Sequence, residues 1–81
     1  MSDNDGYFKK KLEKAKANYQ NAVVQARLAA EQIKYARSDS QLTKGQYSYI
    51  VANANKSKYA TIICDLKVLL KINWLHNHLQ L

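Results

Sequence analysis

The sequence predicts an all-α fold, an antiparallel hairpin of two long helices, on three observations. The chain lacks proline and has only two glycines, Gly6 and Gly45, so few residues resist a helix. Apolar or small residues recur at alternating spacings of four and three over residues 8–36. A second stripe of the same period runs over residues 47–68, and this period marks helices that pack along a seam.

The first six residues are polar and read as a flexible tail, leaving residues 7–81 as a single helical-hairpin domain. The first helix is expected over residues 7–37, with Asp3, Asn4 and Asp5 available to cap it and to suit the positive end of its dipole. Its stripe is Phe8, Leu12, Ala15, Tyr19, Ala22, Ala26, Ala29, Ile33 and Ala36. Alanine returns every seventh residue, at 15, 22, 29 and 36. Leucine there would hold two helices apart, whereas alanine lets their backbones approach.

Ser38, Asp39, Ser40 and Gln41 have no period and favour a loop, expected over residues 38–42. Thr43 can then cap the second helix. Gln46 can complete a capping box, with Leu42 and Tyr47 as a hydrophobic staple. This second helix is expected over residues 43–79, starting in earnest at Lys44. It is either continuous or broken near 53–57, where Asn53, Asn55, Lys56 and Ser57 are polar or weak helix formers; a break would give three helices.

The second stripe reads Tyr47, Ile50, Ala54, Ser57, Thr61, Cys64 and Val68, and after a shift Ile72, Leu75 and Leu79. Folding the chain at residue 40 matches it to the first, with Ala29 against Ile50 and Ala22 against Ser57. Tyr59, Ile62, Ile63, Leu66, Leu69, Leu70 and Trp74 are then left on the far side of the second helix, and Ala17, Val24, Leu28 and Tyr35 on that of the first. Large apolar side chains left in water mark an interface. The hairpin is therefore expected to complete a helical bundle or coiled coil, with itself as a homodimer or with another protein.

The charge adds a second theme. Thirteen Lys and Arg oppose six Asp and Glu, a formal net charge of +7. Lys9, Lys10, Lys11, Lys14 and Lys16 crowd one end, and the fold brings Lys67 and Lys71 beside them. Such a patch suits nucleic acid or another polyanion through phosphate contacts that ignore sequence.

Catalysis finds no support: no nucleophile, base and orienting group recur together, and no glycine-rich phosphate loop is present. Cys64 is the only cysteine, which excludes an internal disulfide. His76 and His78 stand two apart and diverge on a helix, so neither a metal nor another cofactor is expected. No apolar run follows the polar start and none has the length of a membrane span, so the expected location is the cytoplasm.

The function expected is that of a non-enzymatic binding module of adaptor, chaperone or inhibitor type, acting through the apolar face of the C-terminal helix. The alternative is a basic regulator of RNA or DNA of phage or plasmid type. A third is a peripheral membrane or immunity-type protein using Trp74 and the lysines.

Overall fold

Residues 3–79 are described by the computed structural model, with side chains from residue 6 onward. Two helices account for nearly all of them, α1 (Asp3–Lys34) and α2 (Asp39–Leu79). They pack antiparallel into a rod 66 Å long. Among the described residues there is no strand, and α2 runs unbroken through residues 53–57. The polar cluster there costs helix propensity of only a few tenths of a kcal/mol per residue, which packing against α1 offsets.

Both helices start earlier than expected. α1 takes in residues 3–6, where the sequence predicts a tail; the capping expected of Asp3, Asn4 and Asp5 lies outside the described side chains. The connection is Tyr35, Ala36, Arg37 and Ser38, not residues 38–42. The last turn of α1 tightens as Ala36 N–H donates to the Ile33 carbonyl at 3.3 Å.

Ser38, and not Thr43, caps α2. The Gln41 N–H donates to Ser38 Oγ at 3.2 Å, while the Gln41 side-chain oxygen accepts from Arg37 N–H at 2.8 Å. The chain thus carries two successive Ser/Thr-x-x-Gln signals, Ser38 to Gln41 and Thr43 to Gln46. The earlier one wins because it satisfies the orphan donors with a charge at the right pole: Asp39 sits in the first turn of α2.

The seam is thin and built on small residues. Its buried members are Ala15, Ala22, Ala26, Ala29, Gly45, Ala52 and Leu66. Gly45 sets the register. A Cβ built there would lie 3.0 Å from Ile33 Cγ1 and 3.2 Å from the Ile33 backbone nitrogen. With Gly45 level with Ile33, Ala36 is level with Leu42, Ala29 with Tyr49, Ala26 with Ala52 and Ala22 with Lys56. Further along, Tyr19 is level with Tyr59, Ala15 with Ile63, Leu12 with Leu66 and Phe8 with Leu70. Every one of these side chains is buried or half-buried except Tyr49, at 39% exposure. Lys56 lies half-buried in this row, where its aliphatic stem can cover alanine while its ammonium stays wet.

This register corrects the expected one on α2. All nine residues of the first stripe, eight in α1 and Ala36 just beyond it, are buried or half-buried in the seam, as the sequence predicts. On α2, by contrast, Tyr47, Ile50, Ala54, Ser57, Thr61, Cys64, Val68, Ile72 and Leu79 are exposed, and Leu75 is half-buried. The pairing differs by one to two residues, and the face of α2 turned to α1 is the opposite one, roughly half a revolution about the axis at ~100° per residue. The physical reason is the apolar area that each face of α2 can bury. Toward the termini Tyr59, Ile63, Leu66 and Leu70 pack level with Tyr19, Ala15, Leu12 and Phe8, while near the turn Gly45 and Ala52 let the backbones approach at Ile33 and Ala26. The small residues of the other face, set against alanine, would bury less apolar area and so gain less at ~25 cal/mol per Å².

Candidate protein-interaction surface

The residues expected to form a surplus apolar face divide between seam and surface. Leu66 is buried, and Tyr59, Ile62, Ile63 and Leu70 are half-buried. Leu69 and Trp74 stand exposed. Five of the seven therefore serve the contact between α1 and α2. Trp74 stacks on His78 with ring centroids 4.1 Å apart, and His78 Nδ1 lies 2.8 Å from the Trp74 carbonyl oxygen.

The surface left open is the opposite side of α2. It keeps the alternating three and four spacing through Tyr47, Ile50, Ala54, Ser57, Thr61, Cys64 and Val68, then passes to Ile72, Leu75 and Leu79. Tyr47 is 70% exposed, Ile50 66%, Val68 52% and Ile72 56%. Val51 lies beside them, also exposed. The stripe is bulky at both ends and small in the middle. Thr61 turns its hydroxyl back, donating to the Ser57 carbonyl at 3.1 Å, which hides polarity within the helix. At the far end Ile72, Leu75, His76 and Leu79 line a shallow trough of about 400 Å³.

A periodic stripe on each of two opposite faces is unlike an ordinary surface helix. α1 has one apolar side and a mostly polar one, though Ala17, Val24 and Leu28 are exposed on it, with Tyr35 exposed just beyond its end. In α2 the apolar residues point both ways, so its hydrophobicity has almost no direction. Helices of that kind are covered on more than one side. The extended hairpin with its exposed apolar residues thus suggests a partner.

The cationic residues gather as expected at the end of the rod where α1 begins. In the observed register Lys11 is level with Lys67, and Lys9, Lys10, Lys14 and Lys16 lie within about two turns of it. Lys71 follows one turn beyond Lys67. Lys11 and Lys14 form one wall of an open groove of about 330 Å³, with Tyr59, Ile62 and Leu66 on the other. Lys11 Nζ also lies 5.1 Å from the centre of the Tyr7 ring, a cation–π contact. The groove therefore joins positive charge to apolar surface.

Cys64 is free and exposed on the open face of α2, not packed in the seam. Among the described residues no group of three or more His, Cys, Asp or Glu is placed to hold a metal ion. No described helix is long and apolar enough to cross a membrane. Comparison with protein-family models, curated proteins and solved structures found no match to this chain.

Proposed function

We propose that this protein is a non-enzymatic binding module that works by protein–protein interaction, as an adaptor, chaperone or inhibitor does, and that its contact surface is the open face of α2. One observation carries the reading: a heptad stripe of apolar and small side chains from Tyr47 to Val68 lies on the side of α2 away from α1. Burying one such large side chain is worth about 1.5–3 kcal/mol, so the face gains most by being covered.

A second reading is favoured by the lysines that both helices bring to one end. In that reading the module binds RNA or DNA through phosphates, and affinity falls steeply with salt as counterions are released.

One capture experiment addresses both. The tagged parent and the variant Ile50→Asp/Val68→Asp are passed through lysate of the source cells, with and without nuclease, at low and high salt. The parent is expected to retain a discrete protein that survives nuclease and salt, and the variant to lose it. Equal retention by both would remove the α2 face as the contact. Nucleic acid held by both at low salt and shed at high salt would favour the second reading.

A further inference from the structure

We infer that the partner seated on the open face of α2 is a second copy of this chain, antiparallel to the first, with its two-fold axis passing between Thr61 and Cys64. The proposal rests on the protein-binding reading above and names its occupant.

Charge pattern selects the arrangement. Along one flank of the open stripe stand Lys44, Val51, Lys58 and Asp65, seven residues apart, a row that runs into the stripe itself at Ile72 and Leu79. In an antiparallel pair of helices this flank meets its own copy. Asp65 is the only acidic residue of α2 beyond Asp39 in the first turn. With the axis between Thr61 and Cys64, Lys58 faces the partner's Asp65, and Asp65 faces the partner's Lys58. Val51 then faces the partner's Ile72.

The neighbouring registers are each worse. Changing the register by one heptad step sets Lys58 against the partner's Lys58 in one direction and Asp65 against the partner's Asp65 in the other. Parallel pairing sets Lys71, which interrupts the stripe, against the partner's Lys71. Among these arrangements the central antiparallel register alone matches opposite charges while overlapping the full stripe. The register two heptads away also opposes Lys44 and Asp65 but leaves the C-terminal part of each stripe uncovered, and like-charge juxtaposition is an effective bar to the others.

Size and area agree. The axis lies within the small middle of the stripe, so Thr61 meets the partner's Cys64 and Val68 meets the partner's Ser57. Ile50, at one bulky end, meets the partner's Leu75, at the other. The hairpin exposes 6561 Å², against about 5,000 Å² for a compact monomer of this mass. The excess comes from the rod shape, 66 Å long, which leaves a long face of α2 uncovered. The product is a flat row of four helices, α1 and α2 followed by the partner's α2 and α1, and not a closed bundle.

Sedimentation of the full chain over a dilution series tests this. The parent is expected to form a dimer. Asp65→Lys and Lys58→Asp should each weaken dimerisation about tenfold, since one substitution turns two attractive contacts repulsive. The double variant Lys58→Asp/Asp65→Lys should recover close to parental affinity. Both positions are exposed, and retained helicity by circular dichroism checks that each variant folds. A parent that stays monomeric at every concentration overturns the proposal, and so does a double variant no tighter than the single ones. If the monomer still captures another protein through Ile50 and Val68, only the second copy is lost; if it captures nothing, the binding-module reading falls as well.

Discussion

Leu66→Asp is expected to abolish the cooperative fold, while Ile50→Asp leaves it standing. Leu66 is 7% exposed and level with Leu12 in the seam. Truncating a buried leucine costs about 2–5 kcal/mol, and a carboxylate in the same place adds the penalty of an unpaired buried charge. The seam has little in reserve. Apart from Leu66, the buried apolar side chains are all alanine, and small domains hold only some 5 kcal/mol in total at the low end. Ile50 projects away from α1, and exposed substitutions of its kind fall within about 0.5 kcal/mol. Circular dichroism melts at high dilution, where association does not contribute, make the comparison. The register expected from the sequence, with Ile50 in the seam and Leu66 outside, requires the opposite ranking.

Gly45→Leu is expected to destabilise the hairpin by about 1–2 kcal/mol, although leucine is much the better helix former. Replacing glycine in a helix gains ~1 kcal/mol of propensity. At this position, however, even a Cβ reaches 3.2 Å from the backbone nitrogen of Ile33, and a backbone in a packed helix cannot step aside as a side chain can. The remaining leucine atoms must push α1 and α2 apart beside the turn, and overpacking of that sort costs about 1–3 kcal/mol. A urea midpoint shifted downward with an unchanged slope would report the loss. A midpoint raised by the substitution would mean that the helices do not approach closely at Gly45.

How much of this was legible in the sequence follows from the number of faces each helix offers. α1 has a single strong stripe, and all of its members, from Phe8 to Ala36, were placed correctly in the seam. The hairpin topology follows from that stripe, a second helical period and the short polar break between them. α2 has two stripes of the same period on opposite sides, so periodicity alone cannot say which one faces α1. Pairing small residues with small ones chose Ala54, Ser57, Thr61 and Cys64. The face that packs instead carries the larger Tyr59, Ile63 and Leu66, level with Tyr19, Ala15 and Leu12, and buries more apolar area. The earlier capping signal at Ser38 was also present, three residues ahead of Gln41. Reading it would have brought Gly45 inside the helix, where its missing side chain has a use against Ile33.

The lysine cluster was legible because it depends on few geometric details. Either register brings Lys67 and Lys71 to the end of the rod where Lys9, Lys10 and Lys11 lie. The contact surface was less so, since its position inherits the error in the seam. An excess of apolar residues on α2 was recognised, but the side left open is that of Ile50 and Val68, and only Leu69 and Trp74 of the expected set remain exposed.

The division of α2 into a packed face and a face that association covers is tested most directly by the thiol of Cys64, the single cysteine of the chain. Its rate of reaction with a small aromatic disulfide can be followed over a wide range of protein concentration. At high dilution the rate is expected to approach that of a free thiol, because Cys64 is exposed on the side away from α1. It should slow severalfold as concentration rises and the face is covered. A slow rate at every concentration would place Cys64 in the seam after all, and a fast rate at every concentration would show that no second copy ever covers this face.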